Sequence, residues 1–400
     1  DLIGTSDFTH PAWFKEIQNK LEPQGNGLFR LNSPEEQKRA RLASEMQPPN
    51  ANQNPHFLLT TELSCIYSQG GKVRRNHILV CFTEISHVAK LIKSLEARGA
   101  KLASDGRPIL GISSRDIAAM CLDISEQALI IPAHAWTPWF AVFGSKSGFD
   151  SVEECFQDYS QYIYALETGL SSDPAMNWRL SKNDKYTLIS NSDAHSLENL
   201  GREANVLDLK TVSYGEIFDA IKTHDNKRFV STIEFFPEEG KYHLDGCASC
   251  GFACEPEESK RLKERCPTCG KKITIGVYNR VASLADQPMG REPKERIPFK
   301  SIVPLAEILA ESLGVRKGTK KVQAAYRQLI NGVGSEFHIL LDAPLEAIAQ
   351  RSSPLIAEGI KRVRAGALRI KPGYDGVYGQ IKIFTDEERA GTSRKQSSLF

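Results

Sequence analysis

Short apolar runs recur through residues 1–240: Leu2-Ile3, Phe57-Leu58-Leu59, Ile78–Phe82, Ala128–Ile131, Tyr162–Leu166, Thr187–Ile189, Val206–Leu209 and Phe229–Ile233. Runs this short, bounded by turn residues, read as buried strands. Helical signals lie between them. Ser33-Pro34-Glu35-Glu36 and Ser213-Tyr214-Gly215-Glu216 are capping boxes, and His87–Gly99 is an amphipathic stretch that stops at glycine. Alternation of strand and helix predicts an α/β fold with a mostly parallel sheet, open or closed into a barrel.

The polar residues keep a phase against these runs. Asp7 and His10 follow the first, Glu62 the second, His134 the fourth, Glu167 the fifth, and Asp193 and His195 the sixth; His77 opens the third. In parallel α/β folds and barrels, catalytic groups gather at the C-terminal edge of the strands. Asp193 and His195 stand two apart at the end of a strand, so both side chains can point the same way. A carboxylate and an imidazole so placed suit zinc, manganese or iron. One such pair is also a common capping arrangement; the recurrence favours a multinuclear metal centre.

The nine cysteines divide into two groups. Cys65, Cys81, Cys121 and Cys155 stand in apolar contexts and read as buried, unpaired thiols. Cys247-x2-Cys250, fifteen residues, then Cys266-Pro-Thr-Cys269 is zinc-ribbon spacing, in which four thiolates close one tetrahedral structural zinc site. Cys254 is a fifth thiol that could stand in for Cys250, though the symmetric two-residue spacing favours it as the spare.

Charge sharpens the division of the chain. Net charge is +2 overall, yet residues 271–400 carry 22 Lys+Arg against 13 Asp+Glu, and residues 1–270 carry 29 against 36. An acidic catalytic half and a basic half that meets a polyanion fit this split, as does a basic surface that is merely solvated. No apolar run long enough for a membrane span and no secretory leader are present, which predicts a cytoplasmic protein without a membrane partner. The chain opens at Asp1, in what reads as the middle of a strand, so a preceding segment is expected.

Aromatic and basic residues crowd the motifs. Trp136, Trp139, Phe140 and Phe143 follow His134, and Lys146, Trp178 and Arg179 are expected on the same face, where they would stack on a flipped base and hold phosphates. Phe140 and Phe143 read as core. Pro298–Leu313 predicts a helix, and Gly314–Lys321 leads into a second one through Ile330. Its Arg316, Lys317, Lys320 and Lys321 suit a phosphate grip, and Lys361-Arg362-Val363-Arg364 would extend that face.

Several of these stretches resemble the polymerase-and-histidinol-phosphatase (PHP) superfamily, and within it the endonuclease Q family of DNA-repair nucleases. The likeness rests on Asp7-Phe-Thr-His-Pro11, Thr61-Glu-Leu-Ser64, Pro132–Phe140, Ser145–Asp150, Glu167–Arg179, Ser190–Ser196, the cysteine module and Lys371–Gly379. It implies a PHP-type distorted βα barrel over residues 1–240 with its first strand missing. A zinc ribbon over 241–280, a basic helix-rich DNA-binding domain over 281–390 and a flexible tail over 391–400 would follow.

The resemblance further implies that Asp7, Glu62, His77, His134, Asp193 and His195 hold two or three divalent ions, zinc, manganese or magnesium, with Glu62, Asp193 and His195 central to catalysis. His10 matches less well, since Phe8 stands where many relatives place histidine. The family's opening His-x-His lies upstream of Asp1. The implied activity is metal-dependent cleavage 5′ to hypoxanthine, uracil or xanthine, and at abasic sites, in damaged DNA. Other PHP phosphoesterase chemistry, or a DNA- or clamp-binding module impaired for want of the His-x-His, are the alternatives. Gln396-Ser-Ser-Leu399-Phe400 resembles a peptide that docks on the replication sliding clamp.

Overall fold

A computed structural model describes residues 1–33, 55–385 and 387–388. They fall into two compact units, one of residues 1–33, 55–300 and 372–378, the other of residues 301–371 and 379 onward. The first capping box and the tail with Gln396, Leu399 and Phe400 lie wholly or mostly outside the described residues. No helix among the described residues is long and apolar enough to cross a membrane.

The first unit contains strands β1 (Leu2–Gly4), β2 (Leu21–Pro23), β3 (Phe29–Leu31), β4 (His56–Gln69), β5 (Lys72–Phe82), β6 (Ile109–Leu110), β7 (Leu129–Pro132), β8 (Ala165–Glu167), β9 (Thr187–Ile189), β10 (Ala204–Leu207) and β11 (Phe229–Glu234). Its largest sheet runs β2-β3-β4-β5-β7, with β1 and β6 also on β4. The apolar runs therefore locate strands, but the expected parallel arrangement is corrected. β1 and β6 run parallel to β4 and β8 runs parallel to β9, whereas β4-β5, β5-β7 and β10-β11 are antiparallel. The reason lies at Gly70-Gly71, with φ of 60° and 72° between the paired ends Gln69 and Lys72. Two left-handed residues make the tight turn whose twist matches a hairpin, and glycine adopts it without steric cost.

This hairpin sorts side chains onto two faces, because alternate residues of a strand point opposite ways. Leu59, Leu63, Ile78, Val80 and Phe82 belong to one buried cluster, together with Val88, Leu91 and Leu95 of the helix Ile85–Glu96. Leu58, Cys81, Leu129 and Ile131 belong to another, with Tyr214, Ile217, Phe218 and Ile221 of the helix Tyr214–Lys222. That helix begins as expected, Ser213 Oγ accepting the Glu216 N–H at 3.3 Å. Glu62 and His77 share the parity of the second face. Cys65, Cys81, Cys121 and Cys155 are buried and unpaired.

In the second unit helices span Leu305–Leu313, Lys320–Gly332, Glu336–Leu341, Leu345–Arg351 and Pro354–Arg364, beside the antiparallel pair Arg369–Lys371 and Gln380–Lys382. The helix expected from Pro298 starts at Leu305. Pro304 lacks the N–H of a helix interior and sits at the cap, leaving the preceding residues extended.

Candidate metal centre

The long hairpin sets Ser64 opposite His77 and Glu62 opposite Leu79, so Glu62 and His77 are diagonal neighbours on one face. Both lie inside strands, not just past strand ends, which corrects the simple C-terminal-edge picture. The third member arrives where β7 ends. The Ala133 N–H donates to the His77 carbonyl at 3.1 Å, and His134 then turns back with φ of 31°.

Three donor atoms converge. His77 Nδ1 lies 2.7 Å from Glu62 Oε1 and 3.0 Å from His134 Nε2, and His134 Nε2 lies 3.3 Å from the same Glu62 oxygen. Together they form one of the two groups among the described residues able to hold a metal ion. A carboxylate and two imidazoles are donors that zinc and manganese both accept. Burial disfavours the Glu62 anion, but the hydrogen bonds from His134 and His77 outweigh it and hold the carboxyl well below its usual range. Burial dominates at His77 and lowers it, keeping the neutral imidazole whose lone pair binds metal.

Surrounding groups fix this geometry. His134 Nδ1 lies 3.1 Å from Thr137 Oγ1, and the His134 N–H donates to Glu167 Oε2 at 2.7 Å. Asn191 Nδ2 donates to the other Glu167 oxygen at 2.7 Å, and Arg107 Nη1 donates to both Glu62 oxygens at 3.3 Å. Glu167 is fully buried, and desolvation pushes its carboxyl up to about 7. Such outer partners orient metal-ligating side chains. Glu167 had a sequence signal, as the polar residue ending a strand, and Asn191 lies in the Ser190–Ser196 motif without having been singled out; Arg107 had none.

The other expected ligands, Asp7, His10, Asp193 and His195, are not part of this group. Asp7, with φ of 46°, packs so closely on Gly106 that a Cβ there would lie 2.3 Å from Asp7 Oδ2, beside the Arg107 that faces Glu62. Asp193 has φ of 43°; burial lowers the His134 pKa, but the hydrogen bond and charge of Glu62, then the charges of Glu167 and Asp193, raise it on balance. His195 is largely exposed, its Nδ1 3.7 Å from Asp193 Oδ1. His10 caps the helix Pro11–Lys20 through its backbone, with no side-chain capping bond.

The second group able to hold a metal is Cys247, Cys250, Cys266 and Cys269, with Cys254 outside it. Strands β12 (Asp245–Cys247) and β13 (Phe252–Cys254) form the first knuckle around Gly251, φ 64°. The backbone N–H groups of Cys269 and Thr268 pull the Cys266 thiol down to about 6, towards the thiolate that metals bind.

The DNA-facing expectations divide. Trp136 is fully buried and donates its indole N–H to Asn177 Oδ1 at 2.8 Å. Trp178 is 8% exposed and packs edge-on against Phe299, so it is core and not an open stacking surface. Asp173 caps the short helix Pro174–Asn177 and turns Trp178 inward. Arg179 is half-buried and Lys146 exposed. Arg316, Lys317, Lys320 and Lys321 are exposed, Lys317 paired with Glu307 at 2.7 Å. Arg364 instead donates to the carbonyls of Ile339, Leu340 and Ala343, and Arg362 pairs with Glu358 and Glu388, whereas Lys361 of that second basic cluster is exposed.

Residues 304–367 match the family model described as the MJ0043 C-terminal domain. The uncharacterized protein MJ0043 of Methanocaldococcus jannaschii is 32% identical over 257 residues, 62% of this chain and 31% of that protein. The uncharacterized YqxK of Bacillus subtilis is 31% identical over 312 residues, 76% of this chain and 73% of that protein. The crystal structure of the lesion-specific endonuclease PfuEndoQ from Pyrococcus furiosus superposes with a TM-score of 0.80 at 30% identity, over 98% of this chain and 90% of that one. This chain belongs to the endonuclease Q family.

A second endonuclease Q structure, complexed with a 27-mer duplex carrying an abasic lesion at the active site, matches at a TM-score of 0.80 and 32% identity, over 97% of this chain and 89% of that one. The likeness spans both units. The chain covers under a third of MJ0043 but most of the endonuclease Q chains.

Proposed function

We propose that this chain is the catalytic and DNA-binding part of a metal-dependent DNA-repair endonuclease that cuts 5′ to deaminated bases and at abasic sites. The observation that carries the reading is the convergence of Glu62, His77 and His134 on one point, in a chain that shares its fold with lesion-specific endonucleases. Asp7, Asp193 and His195 complete the ligand set, His10 lies at its margin, and the whole forms a PHP-type barrel mouth.

Two or three divalent ions bound there would lower the pKa of a water and neutralise charge on the scissile phosphate. The chain's own residues prepare that site. Thr137 and Glu167 fix the His134 ring and backbone, burial keeps His77 neutral, and Arg107 places a cation beside the anionic Glu62. The cysteine ribbon holds one structural zinc. Arg316, Lys320 and Lys321 grip the DNA backbone without reading sequence, and Gln396, Leu399 and Phe400 dock the tail on the sliding clamp.

Metal content tests the assignment. The purified protein should hold one zinc in the ribbon plus two or three further divalent ions, and Glu62→Ala should lose only the latter. A protein that holds one ion in all, unchanged by Glu62→Ala, would overturn it.

A further inference from the structure

The stretch Lys371–Gly379 plays no part in the metal centre, yet its middle returns to the first unit as residues 372–378. It folds as a tight turn. The Tyr374 and Val377 backbones pair, while Asp375 and Gly376 take φ of 42° and 90°. Two positive φ angles in a row are what an Asp-Gly turn supplies.

The turn is pinned on several sides. Asp375 Oδ2 accepts the Ala248 N–H at 2.7 Å, inside the first cysteine knuckle, and the Gly376 N–H donates to the Lys241 carbonyl at 2.9 Å. Tyr374 lies so close to Gly246 that a Cβ there would meet the ring at 2.5 Å. A segment held this firmly nevertheless presents Val377 at 39% exposure and Tyr378 at 67%. The Lys241 ammonium sits 4.6 Å from the Tyr378 ring centroid. A cation so close to a ring is attracted to its π face and fixes it in place.

This exposed ring connects to the metal centre through aromatic neighbours. The Tyr242 hydroxyl lies 4.0 Å from the position of a Gly376 Cβ, and the Tyr242 ring meets Trp139 edge-on at 5.3 Å. The Trp139 carbonyl accepts from Thr137 Oγ1, the same hydroxyl that contacts His134, and the next residue, Phe140, lies 4.8 Å from the His77 ring. Trp139 and Tyr242 are half-buried and Lys241 exposed. The strip therefore runs from His77 and His134 through Trp139 and Tyr242 to Gly376 of the turn, two residues before the open Tyr378 ring with Lys241 beside it.

We infer that Tyr378 and Lys241, backed by Tyr242 and Trp139, form a stacking platform for an unpaired nucleobase of the DNA strand that lies across the metal centre. The inference rests on the nuclease reading above. The chemistry of the platform fits that occupant: the ring accepts any base face without reading sequence, and the ammonium meets the adjoining phosphate. Trp178, the earlier candidate for this role, is buried in the core.

The test is binding of a duplex with one abasic site and 2-aminopurine beside it, by wild type, Tyr378→Ala, Tyr378→Phe and Lys241→Gln. Stacking should quench 2-aminopurine in wild type and Tyr378→Phe but not in Tyr378→Ala, which should bind about 5- to 150-fold more weakly. Lys241→Gln should lower the salt slope by about one. Zinc content and melting temperature report that each variant is folded, which Tyr378 exposure favours. Wild-type affinity and quenching in Tyr378→Ala, or equal weakening in Tyr378→Phe, would overturn the platform while wild-type cleavage keeps the nuclease reading. A wild-type protein that neither binds nor cuts the duplex would overturn both.

Discussion

Glu234, at the end of β11, gives a sharp test of the buried acid pair it forms with Glu203. It is completely buried, with Thr168 and Thr232 hydroxyls donating to its two oxygens at 2.8 Å and 2.5 Å. Glu203, 3% exposed, accepts only the Phe235 N–H on one oxygen and has no hydrogen-bond partner on the other. Burial pushes the Glu234 carboxyl from 4.5 up to about 8 against the two hydroxyl bonds, and burial plus the Glu234 charge pushes Glu203 well up as well. The folded protein thus holds protons that the unfolded chain releases near pH 4.5. Stability must be fullest below that pH and fall as pH rises towards 8.

A shift of that size corresponds to at most about 5 kcal/mol, at about 1.36 kcal/mol per pKa unit. Half of that would move the melting temperature by about 5–10 °C, at about 2–4 °C per kcal/mol. Glu234→Gln stays neutral at every pH and keeps hydrogen-bonding capacity for both threonines. Thermal melts followed by circular dichroism from pH 5 to 8, without added divalent ions, should show wild type losing more stability than the variant across that window. Parallel curves for the two proteins would mean that Glu234 titrates alike in the folded and unfolded chain.

Other substitutions probe separate parts of the molecule. Cys266→Ser should reduce bound zinc by one equivalent per chain, measured by atomic emission, and Cys254→Ser should leave it unchanged. Trp136→Phe strands the buried Asn177 Oδ1 and should cost about 1–3 kcal/mol in denaturant unfolding with no change in metal content. Replacing Arg316, Lys320 and Lys321 by alanine should weaken DNA binding uniformly across sequences and flatten its salt dependence by up to about three in slope. Arg364→Ala, which removes donors to three carbonyls, should instead lower thermal stability.

The comparison between sequence and structure turns on what each pattern encodes. Apolar runs such as Ile78–Phe82 and Thr187–Ile189 mark strands because burial on both faces leaves few polar positions. Strand direction is encoded elsewhere, at Gly70-Gly71, two residues whose positive φ reverses the chain. The chemistry of Glu62, His77 and His134 was legible only because such residues recur beside successive apolar runs and match the family's motifs; any one of them alone reads as an ordinary hydrogen-bonding residue. Their supports were not: Arg107 and Asn191 reach the cluster only through tertiary proximity, and Thr137, three residues past His134, reaches the ring only because the chain turns there. Trp178 and Arg364 show the converse error. An aromatic or a cation in a polar stretch looks available for ligand until the fold turns it inward, and only packing decides that.

On the proposed reading, the Glu62, His77 and His134 cluster performs lesion-directed strand cleavage. Its most direct test incubates the natural protein containing this sequence with an end-labelled duplex bearing one hypoxanthine or abasic site, in manganese or magnesium, beside His134→Ala. The account predicts a single cut 5′ to the lesion, dependent on added metal and lost in His134→Ala while duplex binding persists. Cleavage that survives His134→Ala, or no lesion-dependent cut by a metal-loaded wild type, would contradict it.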